Sequence, residues 1–325
     1  MTAISLTDPP PALKLFIPAV SSPLDLAPQL RLRDAFERFV VGSLIGIAKS
    51  TLGEYRRAVQ HWETYSANPP LPEITDDTCE EFFWRVRDAG TVRAATYNKW
   101  SRHLRGILMR LGPRDSRNRR GRGLLPYVPL LPVWPEEYGD PRVIPLEDLS
   151  RIYAACHCAR WPRGAEGMAA TRWRAWLVLL YNCGPRRDDA LGLTWANVES
   201  SPRGPVLKWR AKKTGKKQTV PLNTIVLRHL EKLPRGTETL IGFPNSHRDL
   251  YGEWKRILTL AGIHEGYTFH DVRRTCGTAY DLISERAAEW VLGHAKTVTR
   301  RSYINPDEKL FSAAAAIRQP VAFLR

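Results

Sequence analysis

Leu292-Gly293-His294-Ala295-Lys296-Thr297-Val298-Thr299-Arg300-Arg301-Ser302-Tyr303 is the stretch on which the fold of this chain turns. Gly293 is a residue that can take the left-handed conformation and end a helix, which would turn His294 inward before the chain re-enters a helix carrying Tyr303. A tyrosine can be a nucleophile as well as a core residue. Upstream lie Gly184-Pro185-Arg186-Arg187-Asp188-Asp189 and His270-Asp271-Val272-Arg273. Two arginines, two histidines and a lysine-rich hairpin suit attack on a phosphodiester whose developing charge is held without a metal.

The bulk properties agree with a polyanionic partner. In 325 residues, 49 Lys and Arg stand against 33 Asp and Glu, a net charge of +16. That balance favours nucleic acid or an acidic membrane surface. No run approaches the roughly 18 apolar residues of a spanning helix. The start, Met1 to Pro10, lacks the basic segment of a signal peptide. Five scattered cysteines argue against a disulfide framework and for a reducing cytoplasm. Cys156-His157-Cys158 has no second ligand pair nearby and reads as helix surface and core, so neither a metal nor another cofactor is expected.

The length suits two domains. Residues 1–30 are proline-rich and aperiodic, an extended or disordered arm. Residues 31–123 read as a helical domain, with signals from Leu32, a helix from Thr51 to Tyr65 opened by a Thr51/Glu54 capping box, a third from Asp76 to Asp88 and a fourth from Arg93 to Leu111. The fourth places Tyr97, Trp100, Leu104, Leu108 and Leu111 on one face and Lys99, Arg102 and Arg105 on another. With Arg117, Arg119, Arg120 and Arg122 the basic stripe continues past its end: Arg93 to Arg122 holds ten basic residues against Asp115 alone, a pattern for phosphate contact. Prolines 126, 129, 132, 135 and 141 make residues 124–142 a linker. Residues 143–325 form the second domain, with an apolar helix through Trp173 to Tyr181. One hairpin follows, from Val206 to Lys212 and from Lys217 to Pro221 about a Thr214-Gly215 turn. The fold class is mainly α with a small antiparallel sheet.

These residues resemble the tyrosine recombinase (phage integrase) family from about Gly184 to Tyr303, and the first domain is similar to the family's SAM-like core-binding domain in helical pattern and position. The family's Gly-x-Arg-x-x-Glu appears here as Gly184 to Asp189, with Leu191, Leu193 and Trp195 following in modified spacing; Asp189 replaces the usual glutamate, and Pro185 fills a position usually small or apolar. His270-x-x-Arg273 follows Thr268-Phe269 and precedes Arg274-Thr275-Cys276-Gly277-Thr278. Counting eight residues back from Pro221, as the family spacing does, gives Lys213.

The resemblance implies a role for each residue. Tyr303 attacks a DNA phosphate to give a 3′-phosphotyrosyl link and a free 5′-hydroxyl, without ATP. Arg186 and Arg273 present planar donor forks to the non-bridging oxygens. Lys213 protonates the departing 5′-oxygen, His270 accepts the tyrosine proton or bonds a phosphate oxygen, and His294 donates to one. Asp189 orients the Arg186 guanidinium or hydrogen-bonds the frame of the site. Lys212 and Lys216 contact the DNA backbone. The function implied is site-specific recombination or integration of a mobile genetic element: four protomers join two duplex sites and exchange strands through a four-way junction, with accessory bending or directionality proteins as further partners. Type IB topoisomerase-like relaxation and a catalytically idle DNA-binding regulator are the alternatives. The 22 residues after Tyr303, with Phe311, Ala313 to Ala316 and Ile317, are expected to pack on a neighbouring subunit.

Overall fold

The computed structural model describes residues 30–116, 118–137, 139–163, 168–293 and 307–324. The chain divides into two compact units, Met1–Tyr138 and Gly139–Arg325.

In the first unit, helix α1 (Leu32–Ala35) runs on through a π turn, Phe36–Val40, and a 3-10 turn, Val41–Ser43. Helices α2 (Lys49–Tyr65), α3 (Asp76–Asp88) and α4 (Ala94–Leu111) follow. Their apolar stripes, including Phe36, Trp62, Phe82, Tyr97 and Leu104, meet in one core. Thr75 caps α3 in a reciprocal pairing with Thr78. The capping box expected at Thr51 and Glu54 does not form. Helix α2 starts earlier, after Ala48, so both residues lie inside it: Thr51 has no N-cap position from which to accept, and the Glu54 N–H falls past the first turn, where the helix supplies its partner. Glu54 instead pairs with Lys99 at 2.5 Å and Arg57 at 2.6 Å.

Prolines keep the stretch from Leu124 out of regular helix, yet it packs onto this unit. Leu124, Leu125 and Leu131 are buried in its core. Asn98 brackets Trp134, donating to its carbonyl at 2.7 Å and accepting its N–H at 2.9 Å.

The second unit contains α5 (Leu146–Ala155), α6 (Met168–Cys183), α7 (Arg187–Leu191), strands β1 (Val198–Ser201), β2 (Gly204–Arg210) and β3 (Lys217–Pro221), then α8 (Thr224–Glu231), α9 (His247–Leu260), α10 (Phe269–Asp281), α11 (Glu285–Val291) and α12 (Asp307–Ala316). Helix α6 is buried on nearly every side from Ala175 to Cys183, as expected of a helix without a polar face. The sheet is antiparallel in the order β1-β2-β3, with Leu207 opposite both Val198 and Val220. The architecture is mainly α with a small antiparallel sheet. Strand β1 escapes sequence reading because Val198-Glu199-Ser200-Ser201 is short and polar, and a turn ending at Gly204, φ +127°, pairs it with β2.

In the single chain the tail packs on its own unit. Leu310, Ala313, Ala314, Ile317 and Phe323 join the second core. Phe323 is 0% exposed, its ring 5.2 Å from that of Tyr153 and 5.7 Å from that of Tyr181. The Tyr181 hydroxyl donates to the Arg318 carbonyl, and Asn223 Nδ2 to that of Ala314 at 3.1 Å. The alanine face of α12 lets it lie close to the core.

Candidate active site

The site grows from helix ends. Gly184 closes α6 with φ +57°, and a Cβ there would fall 3.0 Å from Cys276 Sγ and 3.3 Å from Val291 Cγ1. Only glycine lets the end of α6 approach α10 and α11 this closely. Two residues on, Arg186 takes an extended backbone as the N-cap of α7. Its side chain is 30% exposed and stops 3.9 Å from Asp189 Oδ2, beyond hydrogen-bond reach.

Asp189 is buried. Its Oδ1 accepts the Lys212 backbone N–H at 2.8 Å, while Oδ2 has no hydrogen-bond partner among the described residues. The carboxylate thus ties the hairpin turn to α7 and leaves a gap before Arg186. A side chain one methylene longer would narrow that gap.

Arg273 is 5% exposed. It donates through Nη1 to the Gly184 carbonyl and through Nη2 to that of Leu292 at 2.7 Å. Two of a guanidinium's five donors are so engaged among the described residues, and the fork has capacity for another acceptor. Burial, and after it the Arg186 charge, bring its pKa down to about 10, still protonated at neutral pH.

His270 sits in the first turn of α10. That helix is capped by Thr268, whose hydroxyl accepts the Asp271 N–H at 3.3 Å. Partial burial of the ring, then Arg274 and Arg273, hold the imidazole below its ordinary pKa against the opposing pull of Asp271. It is neutral at pH 7 and fit to accept a proton. Arg186 acts electrostatically on both Arg273 and His270, so segments far apart in sequence share one locus.

The hairpin turn is closed by Ala211 N–H to Lys216 O at 2.9 Å and Gly215 N–H to Ala211 O at 2.8 Å. Lys213 is exposed in it. Lys212 bends away: its Nζ lies 2.9 Å from the position a Gly192 Cβ would take, and it lines a groove of about 440 Å³ with Thr237, Thr239 and Asn245. Lys216 is half-buried.

Gln218, on β3, drew no functional reading from sequence. Its carboxamide packs over Gly293, where a Cβ would fall 2.5 Å from Nε2. The available signal was Gly293 itself, whose φ of +66° ends the α11 segment as its sequence suggests. His294 and Tyr303 lie outside the described residues.

In the first unit Lys99, Arg102, Arg105, Arg119, Arg120 and Arg122 are exposed. Lys99 is shared with Glu54, and Arg102 Nε donates to the Asn98 carbonyl at 3.2 Å. Arg117 lies outside the described residues. Among the described residues no group of three His, Cys, Asp or Glu is placed to hold a metal, and no helix is long and apolar enough to cross a membrane.

Residues 142–309 match the model of the phage integrase family. No curated protein matches the chain. Among solved structures, the chain is similar to a lambda integrase tetramer bound to a Holliday junction, at 19% identity over 86% of this chain and 78% of that one, TM-score 0.63. It is similar to the XerH site-specific recombinase bound to difH substrate, at 17% identity over 80% and 78%, TM-score 0.53. The Tn1549 transposon integrase with transposon right-end DNA gives 14% identity over 85% and 95%, TM-score 0.55. At these identities the likeness is one of fold.

Proposed function

The chain belongs to the phage integrase family of tyrosine recombinases, and on that footing we propose that Tyr303 cleaves and rejoins duplex DNA at specific sites. The observation that carries the residue assignment is the convergence of Arg186, Arg273, His270 and the lysine hairpin through the ends of α6, α10 and α11. The Tyr303 oxygen attacks phosphorus and its proton passes to His270. The bond from phosphorus to the 5′-oxygen breaks, and Lys213 protonates that oxygen. Arg186, Arg273 and His294 hold the non-bridging oxygens as charge gathers there. Asp189 fastens the hairpin turn to α7 through the Lys212 N–H and adds a negative charge near Arg186. The 3′-phosphotyrosyl link keeps the energy of the phosphodiester, so a second 5′-hydroxyl reverses the step.

Lys99, Arg102, Arg105, Arg117, Arg119, Arg120 and Arg122, with Lys212 and Lys216, contact the DNA backbone. The active assembly is a tetramer exchanging strands through a Holliday junction, the state in which the similar lambda integrase is found. The work is that of a mobile genetic element in the cytoplasm, as the similarity to a transposon integrase suggests.

The test is selection of covalent adducts from a random-sequence duplex library, followed by a nicked duplex carrying the recovered sequence. Denaturing gels should show an adduct that Tyr303→Phe abolishes while DNA binding persists. Binding without any adduct from the library sinks the reading. Relaxation of plasmids lacking the recovered site points instead to topoisomerase-like action.

A further inference from the structure

The first turn of α10 carries an ionic cluster that the reaction as described does not use. Asp271 lies between His270 and Arg273 in sequence, and its carboxylate is 3% exposed. Four donors meet it. Oδ2 accepts the Thr268 backbone N–H at 2.8 Å and hydroxyl at 2.7 Å, and Arg142 Nη2 at 3.3 Å; Oδ1 accepts Arg274 Nη1 at 3.1 Å. The first two serve the helix cap. Arg142 is different, because it comes from the segment that leads into the second unit, 129 positions away.

Arg142 also donates to the carbonyls of Glu265 at 2.9 Å and Gly266 at 3.2 Å. One turn further along α10 the same segment is fastened again. The Ile144 N–H donates to Thr275 Oγ1 at 2.8 Å, and that hydroxyl donates to the Asp271 carbonyl at 2.8 Å. Ile144 and Thr275 are both buried. At roughly 100° per residue, Asp271 and Thr275 share one side of the helix and His270 and Arg273 share nearly the opposite one. The lead-in segment therefore grips the back of the helix whose front carries two groups of the proposed site.

We propose that Arg142 to Ile144 is a strap whose positioning residues, Arg142 and Asp271, fix the rotation of α10 and so aim His270 and Arg273 at the scissile phosphate. The proposal rests on the recombinase reading above. A buried carboxylate held from outside its own helix by a forked cation sets an angle more tightly than a cap alone, since turning the helix would leave the carboxylate short of donors. Arg142 is half-exposed, so its removal should trim the strap without opening the core.

The experiment uses the full chain and the nicked duplex recovered by the adduct selection, with single-turnover cleavage followed at saturating DNA. Arg142→Ala is expected to slow adduct formation tenfold or more, with the final adduct amplitude and half-saturating DNA concentration unchanged within twofold. Arg142→Lys, which cannot span the same three acceptors, should recover only part of the rate. Asp271→Asn, which also removes the negative charge nearest His270, should shift the acid limb of the pH–rate profile to lower pH. Loss of amplitude with an unchanged rate constant would assign Arg142 to folding alone and overturn the proposal, as would wild-type kinetics in Arg142→Ala. Failure of the wild-type protein to form any adduct is a separate result, against the recombinase reading itself.

Discussion

Arg273 is held in place by main-chain oxygens and by no carboxylate among the described residues. His270-Asp271-Val272-Arg273 marked it as chemically useful, but its partners are the Gly184 and Leu292 carbonyls, which every residue type possesses. No side-chain pattern encodes such contacts. Because the fork is aimed by two backbone acceptors, Arg273→Lys should lower the cleavage rate about 10²- to 10³-fold, the range seen on losing one transition-state donor. DNA affinity should change little, and a parallel loss of both in a binding and cleavage assay would contradict this. The pH dependence has a defined sign. His270 is held below its ordinary value, so it stays neutral at pH 7 and gains a proton only as pH falls below about 6.5, the unperturbed histidine value. Cleavage should fall on that acid side, with the limb weakened in His270→Gln; a limb centred above pH 7 would refute the assignment. Asp271 acts on stability with its own sign. Burial would raise its pKa, but the Thr268 and Arg142 donors outweigh burial and lower it. Its contribution is therefore present above the ordinary carboxylate range and lost as pH falls through the lowered value. Guanidinium unfolding at neutral pH should show Asp271→Asn destabilised by about 1–3 kcal/mol, with the difference closing at low pH.

At the scale of elements, apolar spacing carried the reading wherever a face meets a core. It placed α3 from Asp76 to Asp88 and the hairpin around Gly215, because Phe82, Val206 and Val220 mark their buried sides. It missed β1, whose pairing is fixed by backbone bonds to β2 rather than by its own polar side chains. It also misplaced a helix start, since Thr51 and Glu54 fit a capping box wherever they stand and only packing decides where the first turn falls. Pro185 and Asp189, departures from the family pattern, become intelligible together: the proline is buried in the turn after Gly184, and the short carboxylate reaches the Lys212 N–H instead of the Arg186 guanidinium. The contact between β3 and the end of α11 gives a further prediction. Gly293→Ala meets both a left-handed backbone and the Gln218 carboxamide, and should cost about 1–3 kcal/mol. If crowding matters, Gln218→Ala in the same chain should return part of that loss in thermal denaturation; simple additivity would leave the backbone conformation alone responsible.

For the whole molecule, charge and the tail set the behaviour. DNA binding should weaken steeply with salt, and each of Arg102, Arg105, Arg119, Arg120 and Arg122 replaced by Ala should reduce the log–log salt slope by about 1 if it meets a phosphate. An unchanged slope removes that residue from the interface. The tail prediction follows from its packing in cis. Phe323→Ala should destabilise the second unit by about 3–5 kcal/mol, and deletion from Asp307 onward should lower its melting temperature before any effect on assembly is measured. A truncated chain that melts like the full one would mean the tail adds nothing to this core. The position of Phe323 also bears on how the second unit folds. Its ring closes a cluster built around Tyr153 and Tyr181, so segments far apart in the sequence must meet before that part of the core is complete. Until that long-range contact forms, the helix ends that carry Arg186 and Arg273 lack a finished core behind them, which makes the order of the site depend on a late step of folding.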